Sequence, residues 1–272
     1  MKRYQIWSTG AVALLALVAI VASGCSGGDG AETSGKPSGC AGGVCAPTGS
    51  AAVKAETDPA EMNTAALLVL QRAGLKMQLL EARAGAEKLI PGARKVPATL
   101  SDAEILKALP DKNALYVTYC GSAKCSASSM LASKLHKLGY RHVIEFRQGW
   151  SGWSDHQAGK DLGEPEVNAA GLKLLMKSGV KMSVFDARSG KYDDGRRVPG
   201  AGSLNSASKP EEVAEAIPDK DRLVVTYCTN VKCPASAMLA KHLRKLGYSN
   251  VIEYPQGIEG WAASGYPVQK VK

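Results

Sequence analysis

The feature that most limits what this chain can fold into is a long internal duplication. Residues 75–83 match residues 180–188, ending in Glu81-Ala82-Arg83 and Asp186-Ala187-Arg188. Ile90-Pro91-Gly92-Ala93 matches Val198-Pro199-Gly200-Ala201, and Pro110-Asp111-Lys112 matches Pro218-Asp219-Lys220. Leu138-Gly139-Tyr140 matches Leu246-Gly247-Tyr248, and Gln148-Gly149 matches Gln256-Gly257. The period of about 108 residues is that of a domain, well beyond the units that stack into solenoids. Most of the 272 residues therefore form two copies of one domain.

Each copy alternates helical and strand patterns. Asn63 and Asn168 stand as N-caps before Leu-rich segments that stop near Gly74 and Gly179. Ser101 and Glu104 make a capping box for a helix that stops at Pro110. Residues 114–119 and 223–227 are apolar enough to be strands buried on both faces. Helices follow from Ser126 and Pro234 to Gly139 and Gly247, with proline suited to a first turn that needs no N–H. Short strands follow at 142–146 and 251–254. This order predicts an α/β fold, each copy an open parallel sheet with helices on both faces. The expected boundaries are 62–157 for the first domain, 158–166 for a linker and 167–272 for the second domain.

The N-terminus reads differently. Lys2 and Arg3 precede a short apolar run at 11–22, of signal-peptide length and below the roughly 20 residues of a membrane span. Ala22-Ser23-Gly24-Cys25 then resembles the bacterial lipoprotein processing box. The resemblance implies a signal peptide at 1–24 and lipidation of Cys25. With Ser26 next, it implies anchorage in the outer membrane, facing the periplasm. An ordinary cleaved signal or a retained anchor is the alternative. Residues 25–61 are rich in Gly, Ser, Ala and Thr and have too few large apolar side chains to order themselves. They are expected to form a flexible tether reaching roughly 30–35 Å.

Seven cysteines is an odd number for an exported chain. Setting Cys25 aside leaves Cys40/Cys45, Cys120/Cys125 and Cys228/Cys233, three pairs with one spacing, each able to close a disulfide in an oxidising compartment. Cys40 and Cys45 read as a small local disulfide loop, with no histidine or third cysteine nearby to complete a metal site. Among the four histidines, His136, His142 and His242 align with Arg244, Asn250 and Lys134, and His156 has no counterpart, so no shared base or ligand is expected. Trp153 and Trp261 read as packing residues. The net charge of +9 is spread without a basic run or a basic-aromatic patch. It reads first as a solvated basic surface, with attraction of small anions or an anionic membrane face as the alternative, and no nucleic-acid motif accompanies it.

The chemistry concentrates where the buried strands end, at Tyr119-Cys120 and Tyr227-Cys228. In open α/β sheets ligands bind outside the carboxyl ends of the strands. Loop amides turned inward, with the positive end of the next helix, favour thiolate over thiol. Cys120 and Cys228 are therefore expected to titrate below the ordinary value of about 8.5. Such a cradle can also hold the second negative sulfur of a persulfide.

The order Asp-x-Arg, Pro-Gly-Ala, strand-Tyr-Cys-loop-helix, Leu-Gly-Tyr, Gln-Gly and Trp resembles the rhodanese (sulfurtransferase) family over both copies. The resemblance implies that Cys120 and Cys228 accept sulfane sulfur from thiosulfate or a persulfide and pass it to a thiol. It implies cradling loops made of Gly121, Ser122, Ala123 and Lys124, and of Thr229, Asn230, Val231 and Lys232. It implies no metal and no cofactor. Three departures stand out: no Gly-His precedes the Pro-Gly-Ala motif, Cys125 and Cys233 stand where the family often has arginine, and only Lys124 and Lys232 remain as loop cations. The second cysteines are expected to act as resolving or disulfide partners. Two other readings stay open: a thiol–disulfide relay or sensor needing a thiol reductant, and a non-catalytic interaction module with closed disulfides. An oxyanion-binding phosphatase-type site is excluded, because Ser126 and Pro234 stand where its arginine would be.

Overall fold

The computed structural model describes residues 59–271. The expected signal peptide, Cys25, Cys40/Cys45 and nearly all of the tether lie outside the described residues. The first copy runs β1 (Glu61–Met62), α1 (Thr64–Arg72), β2 (Met77–Glu81), β3 (Arg94–Lys95), α2 (Asp102–Ala108), β4 (Leu115–Tyr119), α3 (Ala127–Lys137), β5 (His142–Phe146) and α4 (Gly149–Gln157). The second runs α5 (Ala169–Lys177), β6 (Met182–Asp186), β7 (Arg196–Arg197), β8 (Gly202–Ser203), α6 (Pro210–Ala216), β9 (Leu223–Tyr227), α7 (Ala235–Lys245), β10 (Val251–Tyr254), α8 (Gly257–Ala263) and β11 (Gln269–Lys270).

The first sheet has the order β1-β5-β4-β2-β3 and the second β10-β9-β6-β8, every pairing parallel. A separate antiparallel pair, β7 with β11, has no counterpart among the first copy's described residues. The central strands β4 and β9 are buried at every position. Alternation of side chains explains how. Leu115, Val117 and Tyr119 enter the core that includes Leu67 and Leu70 of α1, whereas Tyr116 and Cys120 enter the one built on Leu131 and Leu135 of α3. Cys120 is thus on the α3 side of its sheet.

The two copies clasp each other through their helix caps. Asn63 Oδ1 accepts from Ala66 N of its own helix and from Glu166 N of the other copy. Asn168 Oδ1 likewise accepts from Gly171 N and from Glu61 N. Glu61, the last residue of the expected tether, is therefore drawn into β1. An antiparallel Met62–Val167 bridge joins the sheet edges, and Glu166 pairs with Glu253. Helix α5 packs on β5 and α1 on β10, so one apolar core includes Leu70, Leu172, Val184 and Tyr254 from both copies. No helix among the described residues is long and apolar enough to cross a membrane.

Candidate active site

Two features shape each loop. Cys120 O and Gly121 O accept from Trp150 N and Ser151 N at 2.8 and 2.9 Å, and Cys228 O and Thr229 O accept from Ile258 N and Glu259 N at 2.9 and 3.0 Å. The first turns of α4 and α8 thus take up the loop carbonyls, and loop N–H groups turn toward sulfur. So close an approach requires glycine. A Cβ on Gly149 would lie 2.2 Å from Cys120 O, one on Gly257 would lie 2.4 Å from Cys228 O, and both glycines have positive φ. That is the physical content of the repeated Gln-Gly. Second, Tyr119 Oη accepts from Ile90 N at 3.0 Å and Tyr227 Oη from Val198 N at 3.1 Å. The tyrosine before each cysteine therefore holds the Pro-Gly-Ala turn in place. Burial pushes the Tyr119 phenol up to about 12.

The sulfur atoms do not titrate in the order the sequence suggested. Cys120 and Cys228 are buried, Cys125 and Cys233 are half-buried, and all four are free thiols. Cys120 Sγ lies 3.2 Å from Cys125 O and 3.4 Å from Ser128 Oγ; Cys228 Sγ lies 3.1 Å from Cys233 O and 3.4 Å from Ser236 Oγ. Burial, reinforced by a hydrogen bond to Cys125, raises the Cys120 thiol above its ordinary value, and burial with Cys233 does the same for Cys228. The expected lowering at these two residues is therefore corrected. It falls on the outer cysteines instead. At Cys125 burial is outweighed by hydrogen bonds from the Cys120 thiol and from the N–H groups of Ala127 and Gly121, with Arg83 adding its charge. At Cys233 burial is outweighed by the Cys228 thiol, the N–H groups of Thr229 and Ala235 and the Thr229 side chain. The cradle and the helix start act on the outer sulfur because the inner one sits beneath the loop.

The remaining loop residues shape the turn. Ser122 O accepts from Cys125 N at 2.9 Å and Asn230 O from Cys233 N at 3.0 Å. Ala123, Lys124, Val231 and Lys232 are exposed. Arg83 and a serine–glutamate pair beneath each inner cysteine complete the site, and of these the serines and glutamates escaped the sequence reading. Arg83, from the end of β2 beside β4, reaches the first loop: its Nη1 lies 3.1 Å from where a Gly121 Cβ would be, and both cysteines act on its charge. The first loop therefore has a cation besides Lys124. Ser128 and Glu145 lie beneath Cys120, and Ser236 and Glu253 beneath Cys228. Their signal was present twice, as serine eight residues after the cysteine and as Val-Ile-Glu in β5 and β10. Trp153 and Trp261 are buried packing residues. No cluster of three or more His, Cys, Asp or Glu among the described residues is placed to hold a metal ion.

The family model of the rhodanese-like domain matches residues 64–156 and again 168–264. The chain belongs to the rhodanese-like family. Its copies are two rhodanese-like domains in tandem, and no curated protein matches the chain. Among solved structures, thiosulfate sulfurtransferase from Pseudomonas aeruginosa is 22% identical with a TM-score of 0.34; the alignment covers 78% of this chain and 44% of that one. A Bacillus halodurans protein is 24% identical, TM-score 0.38, over 43% of this chain and 85% of its own. The anaerobic ergothioneine biosynthesis enzyme of Chlorobium limicola is 18% identical, TM-score 0.34, over 79% and 63%. This rhodanese-like chain thus spans under half the length of the Pseudomonas protein.

Proposed function

We propose that each domain moves sulfane sulfur through its pair of cysteines, and that sulfur lands first on the outer one. The reading rests on one observation. In each loop two free thiols lie within hydrogen-bonding reach, and the half-buried outer one, which faces the loop and helix N–H groups, is the one held below its ordinary value. In the proposed first step the Cys125 thiolate attacks the outer sulfur of a persulfide or of thiosulfate. A sulfur–sulfur bond forms at Cys125, the donor's own sulfur–sulfur bond breaks, and the donor leaves as thiolate or sulfite. A thiol acceptor can then take the outer sulfur. Alternatively Cys120 attacks the inner sulfur, hydrosulfide leaves, and a Cys120–Cys125 disulfide remains for a thiol reductant to open. Cys233 and Cys228 take the same parts in the second domain. The resemblance assigns the first landing to Cys120 and Cys228; their burial favours the resolving part instead. The proposed setting is the periplasmic face of a membrane, held through lipid on Cys25.

The same close thiol pairs favour a second reading, a thiol–disulfide relay that carries no sulfur. Incubating the pre-reduced chain with inorganic polysulfide or thiosulfate, then measuring peptide masses, separates the two. Gain of one sulfur on Cys125 or Cys233, kept in C120S/C228S, is the expected result. Sulfur on Cys120 in C125S at the wild-type rate would overturn the assigned order. Disulfides without any sulfur gain would leave only the relay.

A further inference from the structure

We infer that Glu145 and Glu253 take up the thiol protons of Cys120 and Cys228 through the hydroxyls of Ser128 and Ser236. The inference deepens the proposed function, since it supplies the base for the step in which the inner cysteine attacks. A thiol buried beneath its loop has no bulk water to take its proton. Two bases are within reach: the neighbouring cysteine, and a carboxylate one hydroxyl away. Once the outer cysteine carries sulfur, its thiolate has been consumed, and the carboxylate remains.

The geometry gives the relay a direction. Ser128 has one hydroxyl proton, and its shorter contact is to Glu145 Oε1 at 2.7 Å. Its oxygen is then open to the Cys120 thiol at 3.4 Å. Ser236 has the same two neighbours, Glu253 Oε1 at 2.6 Å and Cys228 Sγ at 3.4 Å, and its hydroxyl is aligned to donate to either; the transfer runs when its proton is on the shorter, carboxylate side. In the transfer the thiol proton passes to serine oxygen as the serine proton passes to the carboxylate. Cysteine thiolate, serine hydroxyl and carboxylic acid result, with no change in total charge.

These glutamates are poor choices for a merely structural part. Glu145 is 2% exposed, neither glutamate has an ion pair among the described residues, and Glu145 Oε2 is buried with no hydrogen-bond partner. An unpaired buried carboxylate is costly, yet it occurs under both cysteines. Other ionisable groups lie close by. Glu61 pairs with Glu145 across β1, and His136, Tyr140, Arg141, His142, Lys173 and Lys177 line the groove that Glu145 also lines. Near Glu253 lies Glu166, whose carboxyl is pushed up by burial and by the Glu253 charge. Arg83 and Cys125 act on Cys120 from the loop mouth.

The test follows alkylation of Cys120 and Cys228 by iodoacetamide against pH, resolved by peptide mass, in the full chain carrying C125S and C233S. These changes remove the competing base. Glu145→Gln keeps an oxygen for Ser128 to donate to and loses only the ability to take a proton. Below the thiol midpoint the variant should alkylate Cys120 roughly tenfold more slowly, while the midpoint itself stays or falls because the lost negative charge no longer opposes the thiolate; Cys228 stays unchanged. Ser128→Ala should slow Cys120 likewise, and Glu253→Gln should slow Cys228 alone. If Glu145→Gln does not fold, Ser128→Ala and Glu253→Gln carry the decision. A folded variant with an unchanged rate below the midpoint overturns the relay whatever sulfur uptake shows. Absence of sulfur uptake in the unmodified chain defeats the sulfur-transfer reading and leaves the relay standing.

Discussion

The two active-site loops share a backbone plan and differ in their arginines. In the first domain Arg83 pairs with buried Glu81, and its side chain remains 33% exposed beside Gly121. In the second domain Arg188 is 1% exposed, bound to Asp186, Asp194 and Arg196 O. Arg197 adds ion pairs to Asp186 and Asp193. Thr229 replaces Gly121, and exposed Val231 replaces Ala123. The same Asp/Glu-x-Arg motif therefore places a cation at one loop and locks it into the scaffold at the other. Under the proposed function, the first loop is expected to favour an anionic donor and the second, with threonine and valine in place of glycine and alanine, a thiol-borne persulfide.

The largest effect should come from breaking what the loops share. Gly149→Ala and Gly257→Ala each place a methyl group against the carbonyl of the inner cysteine, at a backbone conformation that itself costs roughly 1–3 kcal/mol. Each should lower sulfur loading of its own domain by about 100-fold through displacement of the loop, with the other domain unaffected. Peptide-resolved loading measures both at once. Normal loading in either variant would mean that the helix N-terminus does not hold the loop.

The shared plan was legible because it is written in backbone-demanding residues: the asparagine caps, Gln-Gly and the tyrosine before each cysteine. Apolar β4 and β9 and the β/α order gave the parallel sheets. What separates the two sites was not legible. Whether Arg83 or Arg188 faces a loop depends on how the turn after β6 folds back: it brings Asp194, six residues on, to Arg188 and Asp193 to Arg197, whereas among the described residues Arg83 pairs with Glu81 alone. The inward fate of Cys120 was hidden for another reason. Alternation along β4 puts it on the α3 face, and the nest that was expected to ionise it acts one turn later, on Cys125. Glu145 and Glu253 passed unnoticed because a single glutamate in a short strand reads as solvent-facing until the strand's neighbours are known.

The next two changes sharpen the arginine contrast. Arg188→Ala removes the main cation from buried Asp186 and should cost about 3 kcal/mol of stability in urea, without changing which donor the second loop prefers. Gly121→Thr makes the first loop resemble the second. Its Cβ would meet only the flexible end of Arg83, so stability should hold while the guanidinium is displaced. Loading from thiosulfate should fall by about tenfold relative to loading from a neutral persulfide donor. An equal fall for both donors would assign Arg83 to positioning the loop and not to recruiting the anion.

The smallest effect concerns acid. Among the described residues, the carboxylates held below their ordinary range are exposed Glu104 in the first domain and Asp193 and Asp194 in the second. Asp193 is drawn down to about 2, chiefly by the Arg197 guanidinium. A carboxylate whose pKa is depressed on folding stabilises the fold above its unfolded value and loses that contribution as pH falls through its folded value. The second domain should therefore lose about 1 kcal/mol, discounted for partial exposure, between roughly pH 4 and pH 2. Amide exchange in β4 and β9, followed in one sample, removes the intrinsic pH dependence of exchange from the comparison. Protection in β9 should weaken relative to β4 across that window, and Arg197→Gln should remove the part due to Asp193 while leaving that of Asp194, which Arg196 and Arg188 hold. Parallel loss in both strands would mean that the clasp between the domains, and not the Asp193 pair, governs acid stability.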